Sequence, residues 1–72
     1  MTDVVLNLDC RGMRCPRPII ELGRRIGEVD PGAVLELLAD DPAAAPDVAA
    51  WCRMRGHELL ESAAPRFLVR RV

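Results

Sequence analysis

The sequence has no lysine, no tyrosine, and only one tryptophan and one phenylalanine. Without a lysine side chain there is no ε-amine to form a Schiff base, so that class of covalent catalysis is excluded. No apolar run approaches the ~20 residues that a membrane-spanning helix requires. The chain also lacks a basic surplus, because ten arginines are offset by eleven acidic residues and the formal net charge is −1. A broadly basic nucleic-acid-binding protein is therefore excluded.

The composition is nevertheless that of a folded protein. Half of the 72 residues are apolar and 29% are charged, whereas a disordered tail is poor in apolar residues and strongly charged. A chain of this length predicts a single domain over 1–72. The amino terminus, Met1-Thr2-Asp3, lacks a basic stretch followed by an apolar one, so we expect no signal peptide. Together these features predict a soluble, cytoplasmic protein.

Hydrophobic periodicity predicts six secondary-structure elements. Alternating apolar residues indicate strands, and apolar residues spaced three and four apart indicate helices. The first two strands should be parallel, because a strand-helix-strand unit nearly always crosses over right-handed. The last two strands should form an antiparallel hairpin. The expected elements are strands over 4–9, 33–39, 57–62 and 66–72, and helices over 16–29 and 44–55.

The order β-α-β-α-β-β predicts an α/β two-layer sandwich. Two helices can cover only one face of a four-stranded mixed sheet, so the other face is expected to be open. Val5, Val34 and Leu38 are expected on that face. An open face with these residues would carry an apolar patch, which often marks a protein contact.

The sequence has three cysteines, an odd number, so they cannot all be paired in disulfides. In a reducing compartment such residues are buried apolar side chains, metal ligands or reactive thiols. Cys52 falls on the apolar stripe of the second predicted helix, so we interpret it as a core residue. The spacing of Cys10, Cys15 and His57 matches no paired zinc-ligand pattern, so we expect no metal site.

Cys15 has the local context of a reactive thiol. Pro16 and Pro18 precede a helical pattern at once, and proline is tolerated in a first helical turn because those N–H groups lack intrahelical partners. Cys15 is therefore expected at or beside the helix N-cap, where the helix dipole favours a thiolate. Gly12 allows a positive φ angle that brings the loop backbone close to the cysteine. Without this context, a lone cysteine near a helix start is more often a small buried residue.

Three arginines accompany this cysteine in the sequence, namely Arg11, Arg14 and Arg17. Their charges and the helix dipole together predict a Cys15 pKa lowered from about 8.5 into the ~3.5–7.5 range. If the arginines are functional they would steer an acidic partner, and otherwise they form a solvated face. Asp9 is expected to accept hydrogen bonds from loop N–H groups around the glycine, as aspartates commonly do in turns.

The segment 8–18, LDCRGMRCPRP, resembles the signature of the TusA/SirA-like sulfur-carrier family, whose hallmark is Cys-Pro-x-Pro after a short strand. The matching residues are Cys15, Pro16 and Pro18, with Asp9 and Gly12 as supporting positions. The similarity covers the chain from about Val5 to Arg71. It includes Pro31-Gly32, Asp40-Asp41-Pro42-Ala43 and His57-Glu58-Leu59.

The resemblance implies a βαβαββ sandwich in which Cys15 carries sulfur as a persulfide. A cysteine desulfurase or a rhodanese-type enzyme would load it, and a downstream acceptor protein would receive the sulfur. The implied destinations are tRNA thiolation, molybdenum-cofactor assembly or other sulfur trafficking. This is sulfurtransferase chemistry performed by a carrier, and no cofactor or metal is expected because thiol–disulfide exchange needs neither.

Cys10 departs from the pattern of a one-cysteine carrier. As a second thiol it would attack the Cys15 persulfide, releasing sulfide and leaving a disulfide, or it would protect Cys15 from overoxidation. The alternative is a small residue at the end of a strand, because a disulfide requires Cα atoms within about 7 Å.

A competing functional hypothesis is a non-catalytic interaction or regulatory module of the same fold, with Cys15 structural. Direct nucleic-acid binding is not expected, because a net acidic chain with two aromatic residues offers little to phosphates or bases. No membrane partner is expected either.

Overall fold

The secondary structure follows the predicted order β-α-β-α-β-β in a computed structural model that describes residues 3–72. The strands and helices are β1 (Val4–Asp9), α1 (Arg17–Arg25), β2 (Val34–Leu38), α2 (Ala44–Arg55), β3 (Glu58–Ala63) and β4 (Arg66–Arg70). The four strands form one mixed sheet in the order β1-β2-β4-β3. The predicted fold class is therefore confirmed.

The sheet brings two loops to one edge. β1 pairs with β2 in parallel, and Asp9 lies opposite Leu38 at the last register position of both strands. The loops that leave β1 and β2 therefore start side by side, since parallel strands point the same way. β4 pairs antiparallel with both β2 and β3 and completes the sheet. The turn between β3 and β4 lies at the same end as the loop after β2, since the N–H of Ala39 donates to the carbonyl of Pro65 at 2.8 Å.

The core lies between the sheet and the two helices. Alternate residues of the central strands point to the helices, and the side chains of Leu35, Leu37, Phe67 and Val69 are fully buried there. Each such side chain contributes about 1.5–3 kcal/mol by leaving water. Cys52 is also buried on this side, in agreement with its predicted core position on α2.

The first helix is shorter than the predicted 16–29. α1 ends at Arg25 and continues as one 3-10 turn over Ile26–Glu28, and Val29 is already extended. Gly27 lies in this last turn. A glycine weakens an α-helix by ~1 kcal/mol relative to alanine, which accounts for the change of helix type at this point.

The open face of the sheet differs from the predicted apolar patch. Val5 is exposed as predicted, but Val34 retains only 5% of its accessible surface and Leu38 is half-buried. Arg66 forms ion pairs with Glu36 at 2.6 Å and with Glu61 at 2.9 Å across three neighbouring strands. The prediction of an apolar patch was wrong because these charged side chains take up the middle of the face.

Candidate functional site

Cys15 lies in the loop between β1 and α1, directly before the helix. Pro16 is the N-cap residue, and its carbonyl accepts the N–H groups of Ile19 and Ile20 at 3.1 and 3.0 Å. Pro18 occupies the first turn, where its missing N–H leaves no helical hydrogen bond unmade. The predicted position of Cys15 beside the helix start is confirmed, and its side chain is exposed.

Two aspartates from the loop after β2 hold the cysteine loop. The N–H of Gly12 donates to Oδ1 of Asp40 at 2.9 Å, and the N–H of Cys15 donates to Oδ2 of Asp41 at 3.4 Å. The other oxygen of Asp41 accepts the N–H of Ala43 at 2.8 Å, which ties the start of α2 to the same point. Gly12 has a φ of 83°, a left-handed conformation that side chains disfavour. The loop geometry thus depends on this glycine and on both carboxylates.

A third aspartate contacts the reactive atom itself. Asp47 lies in the first turn of α2, and its Oδ2 accepts a hydrogen bond from Sγ of Cys15 at 2.7 Å. This hydrogen bond raises the pKa of the Cys15 thiol, and desolvation and the charges of Asp47 and Asp41 raise it further. The predicted lowering of this pKa was wrong, because the thiol donates a hydrogen bond to the Asp47 carboxylate, which favours the protonated form.

The arginines do not gather around the thiol as predicted. The guanidinium of Arg11 forms a two-pronged ion pair with Asp9, at 2.9 and 2.7 Å. This pairing holds the pKa of Asp9 at about 2. Asp9 also accepts a loop N–H as expected, but from Arg11 and not from the glycine. Arg14 and Arg17 are exposed, and neither forms an ion pair within residues 3–72.

The other two cysteines are buried. Cys10 retains 2% of its accessible surface and Cys52 retains 3%, and burial raises the pKa of both thiols. All three cysteines are free. The burial of Cys10 favours its interpretation as a small residue at the end of a strand, and its role as a secondary thiol stays a prediction.

A groove opens beside Cys15, between the start of α1 and one side of α2. Its volume is about 340 Å³. On α2 the lining residues recur at helical spacing, and Met54 among them is 83% exposed. The lining residues are Cys15, Pro16, Ile19, Asp47, Ala50, Trp51 and Met54. The groove thus presents an exposed thiol and the Asp47 carboxylate beside a mainly apolar surface.

His57 follows the carboxy-terminal end of α2 and makes structural contacts there. Its ring stacks on Trp51 with centroids 5.2 Å apart, and its Nδ1 accepts the N–H of Val72 at 3.2 Å. Burial lowers its pKa, as do the charges of Arg71 and Arg55. Within residues 3–72, no group of three or more His, Cys, Asp or Glu side chains is placed to hold a metal ion.

Sequence reasoning missed the three aspartates as site residues. Asp40 and Asp41 were identified only within a family-like turn, and Asp47 was not singled out. One available signal was the parallel pairing of β1 and β2, since it places the loops that follow them at the same edge.

The comparison with protein families agrees with the resemblance in the sequence. The family model described as "Sulfurtransferase TusA" matches residues 6–70. In the described part of the chain, no helix is both long enough and apolar enough to cross a bilayer. Because the match extends over nearly all of the sequence, from β1 to the last residue of β4, this chain belongs to the TusA family of sulfurtransferases.

Proposed function

We propose that this protein is a sulfur carrier that accepts sulfane sulfur on Cys15 as a persulfide and passes it to an acceptor. The observation that carries the proposal is the contrast among the thiols, since only Cys15 of the three is exposed. It also lies at the end of an apolar groove. If Cys15 were structural, as in a non-catalytic interaction module, we would expect it to be buried like Cys10 and Cys52.

The reaction is an exchange between sulfur atoms. The Cys15 thiolate attacks the outer sulfur of the donor persulfide, the donor S–S bond breaks, and the donor cysteine leaves as a thiolate. Cys15 then holds the sulfur as Cys15–S–S⁻. In the second step an acceptor thiolate attacks that outer sulfur, and Cys15 leaves as a thiolate. The oxidation states balance in each step, so neither a metal nor a cofactor is needed.

The other residues of the motif shape the loop that holds Cys15 and the start of α1. Gly12 and Asp9 set the course of the loop, and Pro16 and Pro18 start α1 directly behind the sulfur. In this proposal the protein is a carrier, loaded by a cysteine desulfurase or a rhodanese-type enzyme. Its sulfur goes to a downstream protein in tRNA thiolation, molybdenum-cofactor assembly or another sulfur-trafficking pathway.

Intact-mass spectrometry tests this function. The protein is incubated with a cysteine desulfurase and cysteine, and we expect each chain to gain the mass of one sulfur atom, which a reductant removes. Cys15→Ser should gain no mass because the accepting thiol is missing. It should remain folded, because serine is nearly isosteric with cysteine. Cys52→Ser is the matched control and should still be loaded. Loading of the Cys15→Ser protein would overturn the assignment.

A further inference from the structure

The hydrogen bond between Cys15 and Asp47 has a consequence for reactivity. A thiol that donates to a carboxylate is stabilised in its protonated form, and the thiolate would be repelled by the same charge. Only the thiolate is nucleophilic. In the free protein Asp47 therefore opposes the form of Cys15 that the proposed reaction requires. The contact that carries this effect is the hydrogen bond from Sγ of Cys15 to Oδ2 of Asp47 at 2.7 Å.

No arginine neutralises the acidic side chains beside Cys15 within residues 3–72, so the Asp47 carboxylate continues to disfavour the thiolate. Many acidic side chains elsewhere are paired with arginine, including Glu36, Glu58 and Glu61 on the sheet. Those beside Cys15 form no ion pair with any residue in 3–72. The charged groups that act on the thiol are Asp47 from α2 and Asp41 from the loop after β2, and Asp40 of the same loop binds the N–H of Gly12. Of the arginines that neighbour Cys15 in the sequence, Arg11 is paired with Asp9, and Arg14 and Arg17 form no ion pair within residues 3–72.

We propose that Asp47 holds Cys15 in its protonated, slow-reacting form until a partner places a cation against this carboxylate. The inference rests on the proposed sulfur-carrier function, and it identifies the chemistry of the partner. Donor and acceptor proteins carry an arginine or lysine next to their reactive sulfur, and this cation enters the groove at Asp47. The remainder of the groove, with Ile19, Trp51 and Met54, receives the apolar surface around that cation.

Release of the thiol moves one proton from Cys15 to water, and one returns from water to the donor. When the cation pairs with Asp47, the carboxylate stops accepting the hydrogen bond, and the Cys15 proton passes to water. The thiolate attacks the outer sulfur of the donor persulfide, and the departing donor thiolate takes up a proton from water. Asp47 acts through Cys15 and touches neither sulfur of the donor, so it is a positioning residue.

Small charged reagents test the inference without a partner protein. A methanethiosulfonate that carries a trimethylammonium group and one that carries a sulfonate group both react with a thiolate, forming a mixed disulfide and releasing methanesulfinate. We expect the wild-type protein to react faster with the cationic reagent than with the anionic one. Asp47→Asn should reduce this preference. The buried Cys10 and Cys52 should not compete, and Cys15→Ser serves as the blank.

The neutral reagent iodoacetamide tests the protonation state separately. Its rate against pH follows the thiolate fraction of Cys15, and we expect Asp47→Asn to move the inflection to lower pH. At pH 7 the rate of Asp47→Asn with iodoacetamide should be about threefold or more above that of the wild type. The rate should rise less than the thiolate fraction does, because the nucleophilicity of a thiolate falls as its pKa falls. Asp30→Asn is the matched control, since it removes an exposed charge before β2, at the far end of that strand from Asp40.

Unchanged pH profiles and reagent preferences in Asp47→Asn would overturn the inference, even if the wild type is loaded with sulfur by a desulfurase. A shifted profile in a protein that is never loaded would instead reject the proposed function and leave the effect of Asp47 on the thiol intact. Asp47→Glu keeps the charge and should retain the cationic preference. A Glu variant that behaves like Asn would show that the effect is not electrostatic.

Discussion

Cys15 and Cys52 illustrate two ways in which a protein suppresses the reactivity of a thiol. Both have a raised pKa, but the causes differ. Cys52 is protonated because it is buried in the apolar layer between α2 and the sheet. Cys15 is exposed, and its pKa is raised first of all by a hydrogen bond to one carboxylate. Burial is relieved only by unfolding, whereas a partner's cation can neutralise a carboxylate in the folded protein.

The largest expected difference between these two regions is in chemical modification. In the folded protein, iodoacetamide should label Cys15 at least about 100-fold faster than Cys52, because labelling of a buried group requires local or global unfolding. Peptide mapping after timed quenching measures both rates in one sample, and a denatured sample gives the reference. Similar rates in the folded protein would mean that the Cys52 region opens readily.

Stability should show the reverse order. Cys52→Ser places a hydroxyl in the apolar core without a guaranteed partner and should lower the free energy of unfolding by about 1–3 kcal/mol. Cys15→Ser changes an exposed side chain and should stay within about 0.5 kcal/mol of the wild type. Urea titrations followed by circular dichroism provide both values. An equal loss in the two variants would contradict the assigned burial.

The exposed arginines that neighbour Cys15 in the sequence should have a smaller, salt-dependent effect. Arg17→Glu reverses a charge that has no ion-pair partner in residues 3–72. If Arg17 steers an acidic surface of the partner, separate from the cation that pairs with Asp47, sulfur transfer should slow at low ionic strength. The difference should shrink as salt rises, since exposed charges are screened beyond about 8–10 Å. Stopped-flow transfer at two salt concentrations measures it, with Arg55→Glu at the far end of α2 as the control. Equal low-salt rates for wild type and Arg17→Glu would identify the arginines as a solvated face.

The smallest effect is expected at the ion pair of Asp9 with Arg11. The pKa of Asp9 is lowered from 3.8 to about 2, so its contribution to stability is present above pH 3.8 and is lost as the pH falls towards 2. Asp9→Asn should therefore flatten the fall in melting temperature over this pH window. Identical acid profiles for Asp9→Asn and wild type would show that the pair contributes nothing measurable.

Local periodicity was sufficient to predict the fold, but the chemistry of the site depends on distant contacts. The strand over Val4–Asp9 and the helix start at Pro16 follow from patterns within a few residues. The Asp47 carboxylate lies 32 residues from Cys15 in the chain, and only the packing of α2 beside α1 brings the two together. The sequence also did not show that Arg11 would pair with Asp9, two residues away, instead of lying beside the thiol.

The position of the transferred sulfur in the chain shows whether Cys15 is the residue that carries it. After loading by a desulfurase, the persulfide is capped with an alkylating reagent, and the protein is digested and sequenced by mass spectrometry. We expect the extra sulfur on the peptide with Cys15 and none on the peptides with Cys10 and Cys52. Sulfur on either buried cysteine, with Cys15 unmodified, would contradict this expectation.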